Sequence, residues 1–163
     1  MSPSIRYVLQ LADPRGRYDR ADFLWAAINL LAAQVAFVLG LWVTNASFMG
    51  WRGLVANAVF VWLGYAAISK RLHDLGRSAL WLLGATLGWL IAAGALATAI
   101  VVVAGPSAIE PGAPGYLATF ALMMLPPLVL AAWLHLAEGE SVENRYGPAT
   151  APAPSFSGNA QHA

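Results

Sequence analysis

Long apolar stretches separated by short polar breaks make up most of this chain. Between Asp22 and Glu138 only six residues are charged: Arg52, Lys70, Arg71, Asp74, Arg77 and Glu110. A helix needs about 20 mostly apolar residues to cross the hydrocarbon core of a bilayer. Four segments meet this requirement, at approximately 23–43, 50–68, 79–104 and 116–137. The pattern predicts transmembrane helices, because strands of a membrane barrel would alternate polar and apolar positions.

The expected fold is therefore an all-α integral membrane protein, a four-helix transmembrane bundle. Residues 1–22 are expected to form a cytoplasmic N-terminal segment, and residues 23–148 the membrane domain. The segment 149–163 is rich in Pro, Ala and Ser, which is typical of a disordered tail. The first apolar stretch begins only at Phe23 and is longer than the hydrophobic region of a signal peptide, so we expect it to stay uncleaved.

Basic residues fall on one side of the predicted bundle. The N-terminal region, the break between the second and third spans, and the C-terminal tail hold eight of the nine Lys and Arg residues. Only Arg52 lies on the other side. Because short cytoplasmic loops carry an excess of Lys and Arg, this distribution places both termini in the cytoplasm.

Several residues predict where the helices begin, end and bend. Asp19 is expected to cap the first long helix, Gly76 to end the second in a left-handed conformation, and Ser78 to cap the third. The Pro126-Pro127 pair lies inside the fourth span. It is expected to kink that helix and to free backbone carbonyls, which neighbouring helices or water must then satisfy.

Composition excludes several classes of function. The apolar fraction is 59% and the charged fraction 10%, against about 25% charged residues in ordinary soluble domains. A net charge of +1 gives no field for nucleic acid, and the absence of cysteine excludes disulfides and thiolate sites. No ionisable residue lies at mid-depth in a predicted span, which argues against a proton-coupled transporter.

Three polar motifs fall on the predicted cytoplasmic side, at Gly16–Phe23, Lys70–Ser78 and Glu143–Pro148. They read Gly-Arg-Tyr-Asp-Arg-Ala-Asp-Phe, Lys-Arg-Leu-His-Asp-Leu-Gly-Arg-Ser and Glu-Asn-Arg-Tyr-Gly-Pro. In these motifs, and in their order, the chain resembles the bacterial inner-membrane family called domain of unknown function 805 (YhaH-like proteins). The resemblance covers about Leu11 to Pro148 and implies a location in a bacterial inner membrane. It departs from the family at Asp19 and at Ala79-Leu80.

The three motifs provide a candidate polar or lipid-binding cluster: Arg17, Arg20, Arg71, His73, Asp74, Arg77, Asn144 and Arg145. One interpretation is structural, with a topogenic loop tied by salt bridges to neighbouring segments. In a helix, Asp74 lies three residues from both Arg71 and Arg77, which makes such pairs easy to form. The other interpretation is a pocket in which several arginines converge on an anionic lipid phosphate.

Catalytic residues are not indicated. Histidine titrates near neutral pH, which would suit an acid–base role for His73 beside Asp74. Adjacent helical residues do not face each other, however, so Asp74 should pair with an arginine instead of orienting His73. His135 is expected to pack at an interface or between helices. His73 and His135 without a carboxylate cluster make a weak metal site. We therefore expect no catalytic residue, no metal site and no cofactor.

The expected function is that of a small, non-enzymatic membrane component. It would bind anionic phospholipid or a membrane partner through the polar cluster, and it would not bind nucleic acid. Gly84 and Gly88 form a small-xxx-small pattern that permits close helix contact, within the chain or in a homo-oligomer. Two alternatives remain open: an oligomeric channel or transporter, and an enzyme acting on lipid headgroups.

Overall fold

A computed structural model describes residues 3–113 and 115–150, with side chains from residue 8 onward. Within this part of the chain the structure is helical and contains no strand. The five α-helices are α1 (Pro3–Ala12), α2 (Arg20–Val43), α3 (Trp51–Asp74), α4 (Leu80–Ala104) and α5 (Tyr116–Leu136). A single 3₁₀ turn, Pro106–Ile109, follows α4.

The four predicted spans are confirmed as helices. Helices α2 to α5 are each long and apolar enough to cross a membrane. The second span was predicted to stop near residue 68, whereas α3 continues to Asp74. The first half of the polar break between the second and third predicted spans is therefore the last turn and a half of α3, and not a loop. The helix continues past the apolar residues because neighbouring segments bind the polar side chains of this last part.

The predicted helix ends are partly confirmed. Asp19 is the N-cap of α2, and its Oδ1 accepts a hydrogen bond of 2.7 Å from the backbone N–H of Asp22. Gly76 has a φ of 69°, as expected for the residue that ends α3. The prediction for Ser78 is wrong, since Ala79 occupies the N-cap of α4 and makes no side-chain cap bond. The hydroxyl is one residue too early in the chain to cap this helix.

The helices form a bundle in which α2 packs against α3 and α5, while α4 contacts α3 and α5. We call "the polar end" the end at which α2 and α4 begin and α3 and α5 finish. The buried apolar residues gather there: Leu11, Phe23, Ala26, Ala66, Ala67, Leu72 and Leu134. Helix α1, which was not predicted, packs against α3 at this end. The interior of the described protein is thus concentrated at one end of the bundle.

The remainder of the bundle turns apolar side chains outward. No residue of α4 is buried, and Val103 near its end is 86% exposed. Large exposed Leu, Ile, Val and Trp side chains likewise cover α2, α3 and α5. Monomeric soluble proteins rarely expose a continuous apolar surface of this kind. Such a surface requires a lipid or protein covering.

The proline pair lies inside α5, as predicted. A proline at position 127 has no N–H to donate to the carbonyl four residues earlier, which belongs to Met123. The indole Nε1 of Trp89 on α4 donates a hydrogen bond of 2.7 Å to that carbonyl oxygen. The expectation that a neighbouring helix satisfies a freed carbonyl is confirmed. This bond also ties α4 to α5 at mid-length.

The predicted tail falls almost entirely on residues 151–163, which lie outside the described part of the chain. Its second residue, Thr150, is described and returns to the polar end. The Thr150 hydroxyl donates a hydrogen bond of 2.9 Å to Oδ1 of Asp74. The segment that leaves the bundle is therefore attached to it at least as far as this residue.

Candidate functional site

Two arginines and one aspartate are buried together at the polar end, and we call Arg17, Arg71 and Asp74 the charge triad. Nε and Nη2 of Arg17 lie 3.1 and 3.0 Å from Oδ1 of Asp74. Nη1 of Arg71 lies 2.6 Å from Oδ2 of the same carboxylate. Arg71 is 0% exposed and Asp74 1%. One carboxylate therefore links the segment before α2 to the last turn of α3.

The triad carries one more positive charge than negative, and backbone carbonyls compensate for it. Nε of Arg71 donates to Leu134 O at 2.8 Å, and its Nη2 donates to Ala137 O at 2.5 Å. These carbonyls lie at the C-terminal end of α5, where the helix dipole favours a cation. Helix α5 is thereby fastened to α3 through a guanidinium.

Arg17 makes the corresponding bonds to the segment after α5. Its Nη1 donates to Val142 O at 2.8 Å, and its Nη2 donates to the carbonyl of Glu140. The backbone N–H of Glu140 in turn donates to Asp74 O at 2.8 Å. Because buried charges are tolerated only when they are paired and hydrogen-bonded, this set of bonds explains how three ionised groups remain inside. The three sequence motifs meet around it.

Lys70 ties α1 and the first motif to α3. Its ammonium donates to the carbonyl of Gln10 and, at 3.2 Å, to the hydroxyl of Tyr18. The ammonium also lies 4.4 Å from the centre of the Tyr18 ring, which is a cation–π distance. The backbone closes the contact, since Tyr18 N–H donates to Lys70 O at 3.1 Å. Lys70 therefore has a structural role at this end.

His73 packs flat against the third motif. Its ring is stacked on that of Tyr146, with centroids 3.8 Å apart and planes 7° apart. Its Nδ1 lies 3.1 Å from Gly16 O in the first motif. Asp74, the next residue, pairs with Arg17 and Arg71. The expectation that Asp74 pairs with arginine is therefore confirmed. The histidine joins the first and third motifs.

Asn144 and two glycines complete the polar end. Nδ2 of Asn144 donates to His73 O at 3.0 Å and to Oε2 of Glu140 at 2.7 Å. A Cβ at Gly139 would overlap the carboxylate of Asp74, and one at Gly76 would overlap that of Glu140. Close approach of the chain after α5 to the buried Asp74 thus requires glycine at position 139. At Gly76 the exposed side chain of Glu140 can move aside, and the φ of 69° is what favours glycine. Among the described residues, every buried side-chain nitrogen and oxygen has a hydrogen-bond partner.

The other three predicted arginines lie at the surface. Arg20 forms an exposed ion pair with Glu138 at 3.3 Å. The guanidinium of Arg77 lies 5.5 Å from the centroid of the Trp81 ring, and that of Arg145 lies 4.7 Å from the centroid of Tyr146. Both are exposed. Aromatic rings therefore position Arg77 and Arg145, and the guanidinium N–H donors of both remain accessible from outside.

The predicted cluster thus lies at one place in the structure and consists of an inner bonded group and an outer group of exposed arginines. Arg17, Arg71, His73, Asp74 and Asn144 bond to one another or to shared segments, while the three surface arginines surround them. His135 packs by its ring against Phe23, with centroids 4.7 Å apart, as expected for a helix-packing histidine. Within the described residues no group of three or more His, Asp or Glu is arranged to hold a metal ion.

The predicted cluster left out several residues of this site, among them Ser69, Lys70, Gly139 and Thr150. Lys70 opens the second motif and Ser69 directly precedes it, and their burial follows from the extension of α3. An uninterrupted helical register through residue 74 would have placed them on the packed face. Gly139 and Thr150 have no local signal, because their neighbours come from distant parts of the chain.

Comparison with known proteins identifies the family of this chain. No curated protein and no solved structure matches the chain significantly. The family model described as "Protein of unknown function (DUF805)" matches residues 11–148. That range begins before α1 ends and closes with the third polar motif, so it includes the whole charge triad and all four long helices. The chain therefore belongs to the DUF805 family of proteins of unknown function.

Proposed function

We propose that this chain is an integral protein of a bacterial cytoplasmic membrane, which it crosses four times with both termini in the cytoplasm. Four helices of sufficient length expose apolar side chains on all sides, and α4 buries none of its residues. Eight of nine basic residues belong to segments at the polar end, while Arg52 stands alone near the start of α3. The positive-inside rule then assigns the polar end to the cytoplasm.

Topology is tested with reporter fusions. A fluorescent protein that folds only in the cytoplasm, fused after residue 163, should be fluorescent, and alkaline phosphatase at the same position should be inactive. Phosphatase inserted in the 105–115 connection should be active, because that connection lies at the opposite end. The reverse pattern would contradict the orientation, and a chain recovered in the aqueous fraction would contradict insertion.

Within that membrane, we propose a non-enzymatic role in which the polar end binds anionic lipid. The observation that supports it is the division of the cations into buried and exposed groups. Arg17 and Arg71 are fully engaged inside the protein. Arg77 and Arg145 are exposed, stacked over aromatic rings, and free to donate to phosphate oxygens. Trp81 lies at the start of α4, a suitable level for a headgroup contact.

A neighbouring cleft is less suited to an anion. This cleft of about 500 Å³ lies beside the charge triad. It is lined by Asp19, Arg20, Ala21, Arg71, Asp74, Glu138, Gly139, Glu140, Ser141 and Thr150. Its carboxylates outnumber its guanidiniums, so the cleft would repel a phosphate more than the surface near Arg77 and Arg145 would. The lipid contact is therefore assigned to these two surface arginines.

Native mass spectrometry from mild detergent tests the lipid proposal. Wild-type protein should retain added phosphatidylglycerol and release phosphatidylcholine at the same collision energy. The double variant Arg77→Gln/Arg145→Gln should lose the phosphatidylglycerol adduct, while Arg15→Gln, which removes another exposed cation, should keep it. Equal retention of both lipids by wild-type protein, or an unchanged adduct in the double variant, would contradict the proposal.

A specific observation favours a second candidate, a homo-oligomer that forms a channel or transporter. A Cβ built at Gly84 or Gly88 meets nothing within 4 Å, so neither glycine is used for packing inside the chain. Both lie on α4, which has no buried residue. A dimeric or larger species that disappears in Gly84→Ile, together with solute flux in vesicles, would support this candidate. A monomer without flux would exclude it.

The proposal that the protein is not an enzyme has its own test. Turnover of phospholipid by the purified protein, absent from a His73→Ala preparation that is still folded, would contradict it. His73 is the relevant residue because a histidine side chain can carry a proton near neutral pH. Its ring stacks on Tyr146 and contacts the carbonyl of Gly16 and the hydroxyl of Ser69.

A further inference from the structure

Helix α1 is fixed to the side of α3 by its last turn. The carbonyl of Gln10 accepts from the ammonium of Lys70, and the carbonyl of Ala12 accepts from Nε1 of Trp62 at 3.0 Å. Just beyond the helix, the Ser69 hydroxyl donates to Pro14 O at 3.3 Å. The final carbonyls of a helix have no partners within it, so these bonds both cap α1 and determine its position.

The two donors define the level of α1 along α3. Trp62 and Lys70 are eight residues apart, which corresponds to about 12 Å along a helix axis. Trp62 belongs to the apolar part of α3, whereas Lys70 belongs to its polar last turns. A helix end that reaches both side chains lies between these levels. That level is the boundary between hydrocarbon and headgroups if α3 crosses the membrane.

The described side chains of α1 fit such a boundary. Leu11 is 5% exposed and packs in the buried apolar cluster. Val8 and Leu9 are 54% and 55% exposed, and Gln10 is also exposed. Successive helical residues are separated by about 100°, so Leu9 points nearly opposite to Leu11, which faces the bundle, and Val8 and Gln10 lie on the two flanks between them. The outward surface therefore has an apolar part next to a polar part.

We propose that α1 is an in-plane interfacial helix, which inserts Val8 and Leu9 into the lipid of the leaflet at the polar end. This inference rests on the proposed membrane location. Interfacial helices bury an apolar face at the boundary of headgroups and acyl chains, with their polar face toward water. The residues predicted as a cytoplasmic N-terminal segment thus include a lipid-binding element.

The surface around α1 indicates that lipid covers its exposed apolar side chains. At the end of α1, α3 exposes half of Trp62, whose indole donates to the carbonyl of Ala12. The apolar patch of α1 is therefore continuous with the apolar surface of a helix assigned to the bilayer. A fluid solvent covers both without any shape requirement, whereas a second copy would need a matching surface at the same level.

Spin labelling tests the proposal directly, because the chain contains no cysteine. Nitroxide labels at Val8→Cys, Ile91→Cys and Arg15→Cys are compared in vesicles of phosphatidylglycerol and phosphatidylcholine. Ile91 on α4 is 73% exposed and reports lipid, while Arg15 is exposed in the segment after α1 and reports water. Collision with oxygen indicates lipid, and collision with a water-soluble nickel chelate indicates water.

The ratio of oxygen to nickel collisions at Val8 should be several-fold higher than at Arg15 and close to that at Ile91. A ratio equal to that at Arg15, with Ile91 in lipid, would overturn the proposal and leave the membrane location intact. Shielding of Val8 from both reagents would identify a protein covering and would also overturn it. A water-like ratio at Ile91 would instead refute the proposed membrane location. If Val8→Cys does not fold, Leu9→Cys serves in its place.

Discussion

Replacing Asp74 with asparagine should destabilise the protein more than any exposed substitution at the polar end. The carboxylate is 1% exposed and neutralises two guanidiniums that are themselves buried. Asparagine keeps the shape but removes the charge. Breaking a buried ion pair from one side typically costs about 3–5 kcal/mol, because a charge remains buried without compensation.

The hydrogen bonds that Arg17 and Arg71 keep in Asp74→Asn determine how much of the free energy of unfolding is lost. In Asp74→Asn, Arg71 still donates to the carbonyls at the end of α5, and Arg17 still donates to those of the segment after it. These bonds reduce the penalty, so we expect about 3 kcal/mol, or about a hundredfold in the folding equilibrium. Since domains are stable by roughly 5–15 kcal/mol, the variant should fold but melt earlier.

The assay is thermal unfolding of purified protein in mild detergent, followed by the loss of the monodisperse peak in size-exclusion chromatography. Arg77→Gln is the matched control, because Arg77 lies three residues away but is exposed over Trp81. It should melt like the parent. If Asp74→Asn also melts like the parent, the charge triad does not hold the motifs together and the structural interpretation of the cluster is refuted.

Two further predictions concern close contacts elsewhere. Gly139→Ala should lower the melting temperature, because its Cβ would overlap the Asp74 carboxylate. Gly94→Ala is the control and should leave the melting temperature unchanged, because the space around Gly94 is open. Equal effects of the two substitutions would contradict the close contact at Gly139. Trp89→Phe removes the indole donor to a proline-freed carbonyl and should cost about 0.5–2 kcal/mol. In a Pro127→Ala background, which restores a backbone donor, the same change should cost measurably less, and an equal cost would contradict the assigned bond.

The burial pattern gives the polar end a distinct physical role. If the apolar helices cross a membrane as proposed, lipid removes the hydrophobic driving force for helix association, so packing there is weak unless specific bonds exist. The described structure has one such bond between α4 and α5, and a dense network at the polar end. The network fastens α2, α3 and α5 at the polar end. It therefore explains how a loosely packed bundle keeps a defined arrangement.

The sequence determined the helices because their signals are local. Hydropathy located the four spans to within a few residues, apart from the extension of α3 to Asp74. Asp19 and Gly76 marked helix ends through the chemistry of single residues. The proline pair implied freed carbonyls without reference to any neighbour. Helix α1 was missed, because a helix of 10 residues is only marginally stable alone and depends on its packing.

Only the tertiary structure decided what each arginine does. In the sequence, Arg17, Arg20, Arg71, Arg77 and Arg145 are equivalent cations in three polar motifs. In the structure, Arg17 reaches an aspartate 57 residues away, and Arg71 reaches carbonyls at the end of α5. The other three remain at the surface. Which charge is buried depends on the partners that folding brings around it, and those partners are distant in the chain.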